Sequence, residues 1–190
     1  GVAHGGDGND TLVLGGAPGT LDVSTLAASF TSFENVVQQG SFWSIVGRGE
    51  VDLTVDWGLL NVTSSIAGTL QTSAVSDAAL IFVGSSGAVT TTDGMPAVVL
   101  GGPNTLVNSG VINSPVVASG SDSAILNVGT IISQNTVAIT GGAGAQQVEN
   151  YGLVASGRGT AIDLGAGDAR LSLGTSAGLG GLADGGAGFD

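Results

Sequence analysis

Pro96-Ala-Val-Val-Leu100, a glycine-containing gap and Thr105-Leu-Val-Asn-Ser-Gly-Val-Ile112 carry the pattern on which the architecture rests. The pattern returns as Pro115-Val-Val-Ala118 followed by Ala124-Ile-Leu-Asn-Val-Gly-Thr-Ile131. It returns again as Thr136-Val-Ala-Ile-Thr140 with Val148-Glu-Asn-Tyr-Gly-Leu-Val154, and as Thr160-Ala-Ile-Asp-Leu164 with Leu171-Ser-Leu-Gly174. Aligned this way, Val99, Val117, Ile139 and Ile162 follow one another at intervals of 18, 22 and 23. The Asn-x-Gly element recurs at Asn108, Asn127 and Asn150, with spacings of 19 and 23. Short β-branched runs repeating about every 20 residues are the signature of a solenoid.

One coil of two or three short strands exposes an apolar face that it cannot bury alone. The next coil, stacked about 4.8 Å away, pairs each strand with its copy and closes a continuous core. Strands buried in this way read as Val/Ile/Leu runs rather than strict alternation. An Asn at one fixed place in every coil suits a turn, and stacked Asn amides form a ladder. The expectation is an all-β parallel β-helix with Val99, Val117, Ile139 and Ile162 in one inward column and Asn108, Asn127 and Asn150 in a ladder. An ordinary β-sandwich with several Asn-x-Gly turns is the competing architecture. The uneven spacing argues for it, and coils with variable loops explain the same unevenness.

Composition narrows the class. A hydrophobic content of 42% excludes a disordered chain, and 35 glycines without a triplet period exclude collagen. The longest apolar run, Ala78 to Val83, is too short to cross a bilayer. Fifteen acidic residues face only Arg48, Arg158 and Arg170, with no lysine and a net charge of −12. That balance repels phosphate backbones and anionic lipid, so nucleic acid is not an expected partner, nor is membrane insertion by this segment. The lack of cysteine excludes disulfides and thiolate metal sites. An acidic, lysine-free chain rich in Gly, Thr, Ser and Asn fits an exported bacterial surface protein, and any secretion signal is expected outside this segment.

The N-terminal stretch Gly5-Gly-Asp-Gly-Asn-Asp-Thr-Leu-Val13 matches G-G-x-G-x-D-x-U-x, the nonapeptide of calcium-binding RTX β-rolls, at every defined position. Gly5, Gly6 and Gly8 permit a tight turn, and Asp10 offers a hard carboxylate oxygen suited to Ca²⁺. In that family one ion lies between consecutive turns, so a single copy is half a site. The plain alternative is a glycine-rich turn that feeds the strand Thr11 to Leu14 and binds no ion. Residues Gly181 to Asp190 repeat Gly1 to Asp10 at six of ten positions with a constant offset of 180. That recurrence pairs Asp190 with Asp10 as calcium candidates. It also suggests that residues 1–190, a single β-solenoid module, form one period of a longer tandem array or filament with homotypic end-to-end contacts.

Gly5 to Leu14, then Phe30-Thr-Ser-Phe-Glu-Asn-Val-Val37 and Gly40-Ser-Phe-Trp-Ser-Ile-Val-Gly47, together with the later V-x-N-x-G-x-I coils, resemble passenger regions of Gram-negative autotransporter adhesins. The likeness covers most of the chain and rests on degenerate motifs that mark a fold more than an activity. It implies a right-handed parallel β-helix displayed on, or shed from, the cell surface.

Phe30, Phe33, Phe42 and Trp43 invite a sugar-stacking reading. Their alternation with polar residues assigns them instead to the core or to a cap. Asp163 and Asp168 beside Arg158 and Arg170 form the one neighbourhood with the makings of a polysaccharide-cleaving site. A solvated face with weak ion pairs is the simpler account of it. His4, the single histidine, aligns with Asp184 in a turn. The functional expectation is a non-enzymatic surface module, an adhesive stalk or filament engaging a host or surface glycan or protein receptor. A calcium-stabilised RTX-type stalk is the first alternative, and a polysaccharide-active β-helix enzyme the second.

Overall fold

The computed structural model describes residues 1–75, 79–92, 94–120 and 122–190. Within them the chain winds into a parallel β-solenoid of about eight turns. Twenty strands join in one continuous hydrogen-bonded sheet, and every pairing between successive coils is parallel. Each coil has three faces. The register of the first face passes through Leu12, Val36, Leu53, Leu70, Val98, Val116, Ile139 and Ile162, so the coils are of unequal length. They are shortest from Val36 to Leu53 and from Leu53 to Leu70, and longest from Leu70 to Val98. The second face stacks Trp43, Leu60, Ile81, Leu106, Ile125, Val148 and Leu171. Ile66, Val89, Ile112, Ile131, Val154 and Leu179 stack on the third.

These columns are the core. Leu53, Leu60, Leu70, Ile81, Leu106, Ile112, Ile131, Ile139 and Ile162 are all essentially inaccessible to solvent. No coil closes a core unaided, because each contributes about one large apolar side chain per face to each inward column. Burial of such a side chain contributes about 1.5–3 kcal/mol, and the benefit appears only when the neighbouring coils are in place.

The inward column of the first face differs from the expected one at two of its four members, each shifted by one position. Val98 and Val116, not Val99 and Val117, stack on Ile139 and Ile162 and are buried. Val99 and Val117 point outward, in line with Thr140 and Asp163. Ala97-Val-Val-Leu100 and Val116-Val-Ala118 are apolar at every position, so no polar alternation marks which side faces in. A slip of one residue then exchanges the two faces. Ile81 belongs to the second face, between Leu60 and Leu106. Of the apolar run Ala78 to Val83, the strand Ala79–Val83 is seen, while Ala78 lies outside the described residues.

Candidate functional site

The faces meet at corners, and the corners differ in length. Between the second and third faces three successive turns are tight and are spelled Asn-x-Gly. Asn108, Asn127 and Asn150 are in register and fully buried. The Asn108 amide nitrogen donates to Asn127 Oδ1 at 2.8 Å, and the Asn127 amide nitrogen donates to Asn150 Oδ1 at 2.8 Å. Each amide also donates to a carbonyl of the following coil, at Thr130, Leu153 and Gly178 respectively. Gly129 completes the turn because a Cβ there would overlap the carbonyl oxygen of Gly110 in the coil before it. The ladder satisfies polar groups inside the stack and offers nothing to a ligand. Its role is architectural.

Between the third and first faces the corners vary most. After the first coil the chain leaves the stack over residues 26–34, which include the one-turn helix Leu26–Ser29 and the strand Phe30–Thr31, paired with Ala3–His4. The next two corners are only residues 51–52 and 68–69, with Gly68 (φ 130°) closing against the Val51 carbonyl. A second long corner separates Thr90 from Ala97, and of it residues 91–92 and 94–96 are described. Two protruding loops thus flank two short corners, and a lateral groove opens between them.

The larger part of that groove is a cavity of about 540 Å³, walled by Leu26 and Phe33 from the first loop and by Thr92 and Met95 from the second. Val51, Ala67, Gly68 and Thr69 form its floor. It runs on into a space of about 340 Å³ that shares Leu26, Phe33, Val36 and Glu50 with it and extends to Phe30. The Phe30 and Phe33 rings meet edge to face with centroids 6.4 Å apart. Three carboxylates line the larger cavity: Glu34, Glu50 and Asp52, all exposed. Glu34 Oε2 accepts from the Asp10 backbone nitrogen at 2.8 Å, and Asp52 Oδ1 accepts from the Thr69 backbone nitrogen at 2.6 Å. Those bonds hold two of the three acids in place on separate coils.

The aromatic residues therefore divide. Trp43 packs against the core and covers Gly19 of the preceding coil, as expected. Phe42 points outward in register with Leu59, and Phe30 and Phe33 are half-buried in the groove wall rather than in the core.

The two glycine motifs fold alike but occupy different corners. A Cβ on Gly5 would crowd the Asp10 side chain, and one on Gly185 would crowd that of Asp190. Gly5 to Asp10 precedes a first-face strand, Thr11–Gly16. Gly185 to Asp190 instead follows first-face residues Leu182 to Asp184 and stacks on the Gly165 to Asp168 turn, where Asp190 Oδ1 accepts from Ala169 N at 3.0 Å. The two copies are thus separated by eight coils and one further face, not by a whole number of coils. Asp10 and Asp190 lie on the first and last coils and do not share a site. Among the described residues no three His, Asp or Glu side chains cluster in the manner of a metal centre.

Around Asp163 the acids are engaged in turns: Asp163 Oδ1 accepts from Gly165 N and Asp168 Oδ1 from Phe189 N. Arg158 donates through Nε to the Asn135 carbonyl. His4 Nδ1 accepts from Gly6 N, also within a turn. None of these four side chains lines the groove.

Sequence reasoning missed Glu34, Glu50, Asp52 and Met95 as members of one site. The signal that places them together is coil length, long and then twice short and then long, which appears only once the register is known. No protein family, curated protein or solved structure matches this chain. No helix among the described residues is long and apolar enough to cross a membrane.

Proposed function

We propose that this chain is a non-enzymatic display and adhesion module, a β-solenoid carried on or shed from a bacterial surface that engages a receptor through its flank. The observation that carries the reading is the lateral groove between Leu26 and Phe33 on one side and Thr91, Thr92 and Met95 on the other. A module acting only as a spacer needs no such excursions, because the short coils that begin at Val36 and Leu53 already close the core without them. Rigid stacked coils supporting variable loops are the arrangement by which scaffolds present binding surfaces. The acidic, lysine-free, cysteine-free composition and the resemblance to autotransporter passengers point the same way.

The test is adherence. Microspheres coated with the chain should settle on cultured epithelial cells or on bacterial cells in excess of albumin-coated ones. Phe33→Ala with Met95→Ser should lower that excess while leaving the far-UV circular dichroism unchanged. Adherence no greater than that of albumin would overturn the reading.

A further inference from the structure

The groove's chemistry names its occupant. Leu26, Phe33, Val36 and Met95 give it apolar walls, and Glu34, Glu50 and Asp52 give it acidic edges from two adjacent coils. No lysine or arginine is among its lining residues. The hydroxyls of Thr69 and Thr91, which also line it, already donate to the backbone carbonyls of Pro96 and Met95. The side chains of the groove therefore offer three carboxylates as acceptors against the hydroxyls of Thr90 and Thr92 as donors. A sugar hydroxyl, which both donates and accepts, meets more acceptors than donors there. A guanidinium, which carries five N–H donors and no acceptor, is matched throughout. Arginine also lays its alkyl stem and planar head against apolar and aromatic surfaces such as Phe33.

We infer that this groove binds an extended arginine-bearing segment of a partner protein, with aliphatic residues between the arginines. The inference deepens the adhesive reading above by naming the occupant of the same site. A volume of about 540 Å³ admits a few side chains and not a folded domain. The occupant is not a second copy of this chain, which holds three arginines, no lysine and a charge of −12. Two copies, each with a net charge of −12, repel one another, which favours a cationic partner over a second copy. Glu34 and Asp52 are each anchored through one oxygen and retain a second to offer. Such fixed carboxylates meet a guanidinium with little reorganisation.

The probe is a fluorescein-labelled short peptide alternating arginine with leucine, beside the same peptide with neutral citrulline replacing arginine. Fluorescence polarisation on the full chain should show the arginine peptide binding about tenfold or more tightly than the citrulline peptide. Glu50→Gln with Asp52→Asn should weaken the arginine peptide about tenfold, and Glu50→Gln alone, which leaves the bond from Thr69 to Asp52 intact, should weaken it by a smaller factor. Asp7→Asn with Glu149→Gln removes the same charge away from the groove and should change binding less than about threefold. Equal losses in the two double variants would reduce the effect to diffuse charge and overturn the assignment, as would no binding by the parent. Adherent microspheres with no peptide binding would overturn the groove's occupant and leave the adhesive reading standing. Peptide binding in the expected variant order without adherence would do the reverse.

Discussion

Asn108 and Asn127 occupy the same place in neighbouring coils, and the amide of the first donates to the side-chain oxygen of the second at 2.8 Å. Asn127 passes the interaction on to Asn150, so the central rung both donates and accepts within a fully buried column. Asn127→Ala strands a donor of Asn108 and removes one of two donors to Asn150 Oδ1, which keeps the bond from Gly152 N. Stranding buried polar groups costs about 1–3 kcal/mol each. Urea unfolding should show a loss of about 2–4 kcal/mol, and native-state hydrogen exchange should place it in the coils around residues 105–154. A loss below about 0.5 kcal/mol would show that the ladder contributes nothing beyond packing.

Val116 and Val117 test the register directly because they face opposite ways. Val116→Asp buries a carboxylate in the column of Val98 and Ile139 and should cost about 3 kcal/mol or more. Val117→Asp, in line with Thr140 and Asp163, should cost less than about 1 kcal/mol. Thermal melts of the two variants side by side decide the matter, and the reverse order would place the strand the other way round.

Gly129→Ala places a methyl group against the carbonyl of Gly110. Gly15→Ala places one at ordinary contact distance, 3.5 Å from the Gln39 carbonyl. The first should destabilise by about 1–3 kcal/mol and the second by less. Equal melting temperatures for the two variants would argue against close stacking at the Asn-x-Gly corner.

Calcium titration by calorimetry bears on the glycine motifs. Asp10 and Asp190 lie on the first and last coils, so the chain should bind Ca²⁺ weakly or not at all, and chelation should leave its melting temperature unchanged. Tight stoichiometric binding by this single chain would contradict the half-site geometry.

Much of the architecture was legible because its devices are spelled locally. Asn-x-Gly at near-constant spacing disclosed both the coil and its buried ladder, since each Asn must sit where a turn and a stack coincide. The inward side of the first face was not legible, because Val98-Val99 and Val116-Val117 present two apolar residues where alternation would have marked one. The groove was hidden for a different reason. Glu34, Glu50 and Asp52 share no motif, and only the order of long, short, short and long coils between Leu12 and Val98 brings them to one opening. The shared spelling of Gly1 to Asp10 and Gly181 to Asp190 disclosed a turn type, while the phase of that turn within the coil depends on pairings far along the chain.

The parallel stack itself is open to one distance measurement. Ser44, Asn61, Phe82, Val107, Leu126, Glu149 and Ser172 follow one another in register on the outer side of the second face. Six steps separate Ser44 from Ser172, and each step is about 4.8 Å. The chain has no cysteine, so Ser44→Cys with Ser172→Cys accepts a single pair of spin labels. Double electron–electron resonance should give a narrow distribution centred at about 29 Å, shortening to about 19 Å when the first label moves to residue 82. A broad distribution, or a Ser44–Ser172 distance no longer than that from residue 82, would contradict the solenoid.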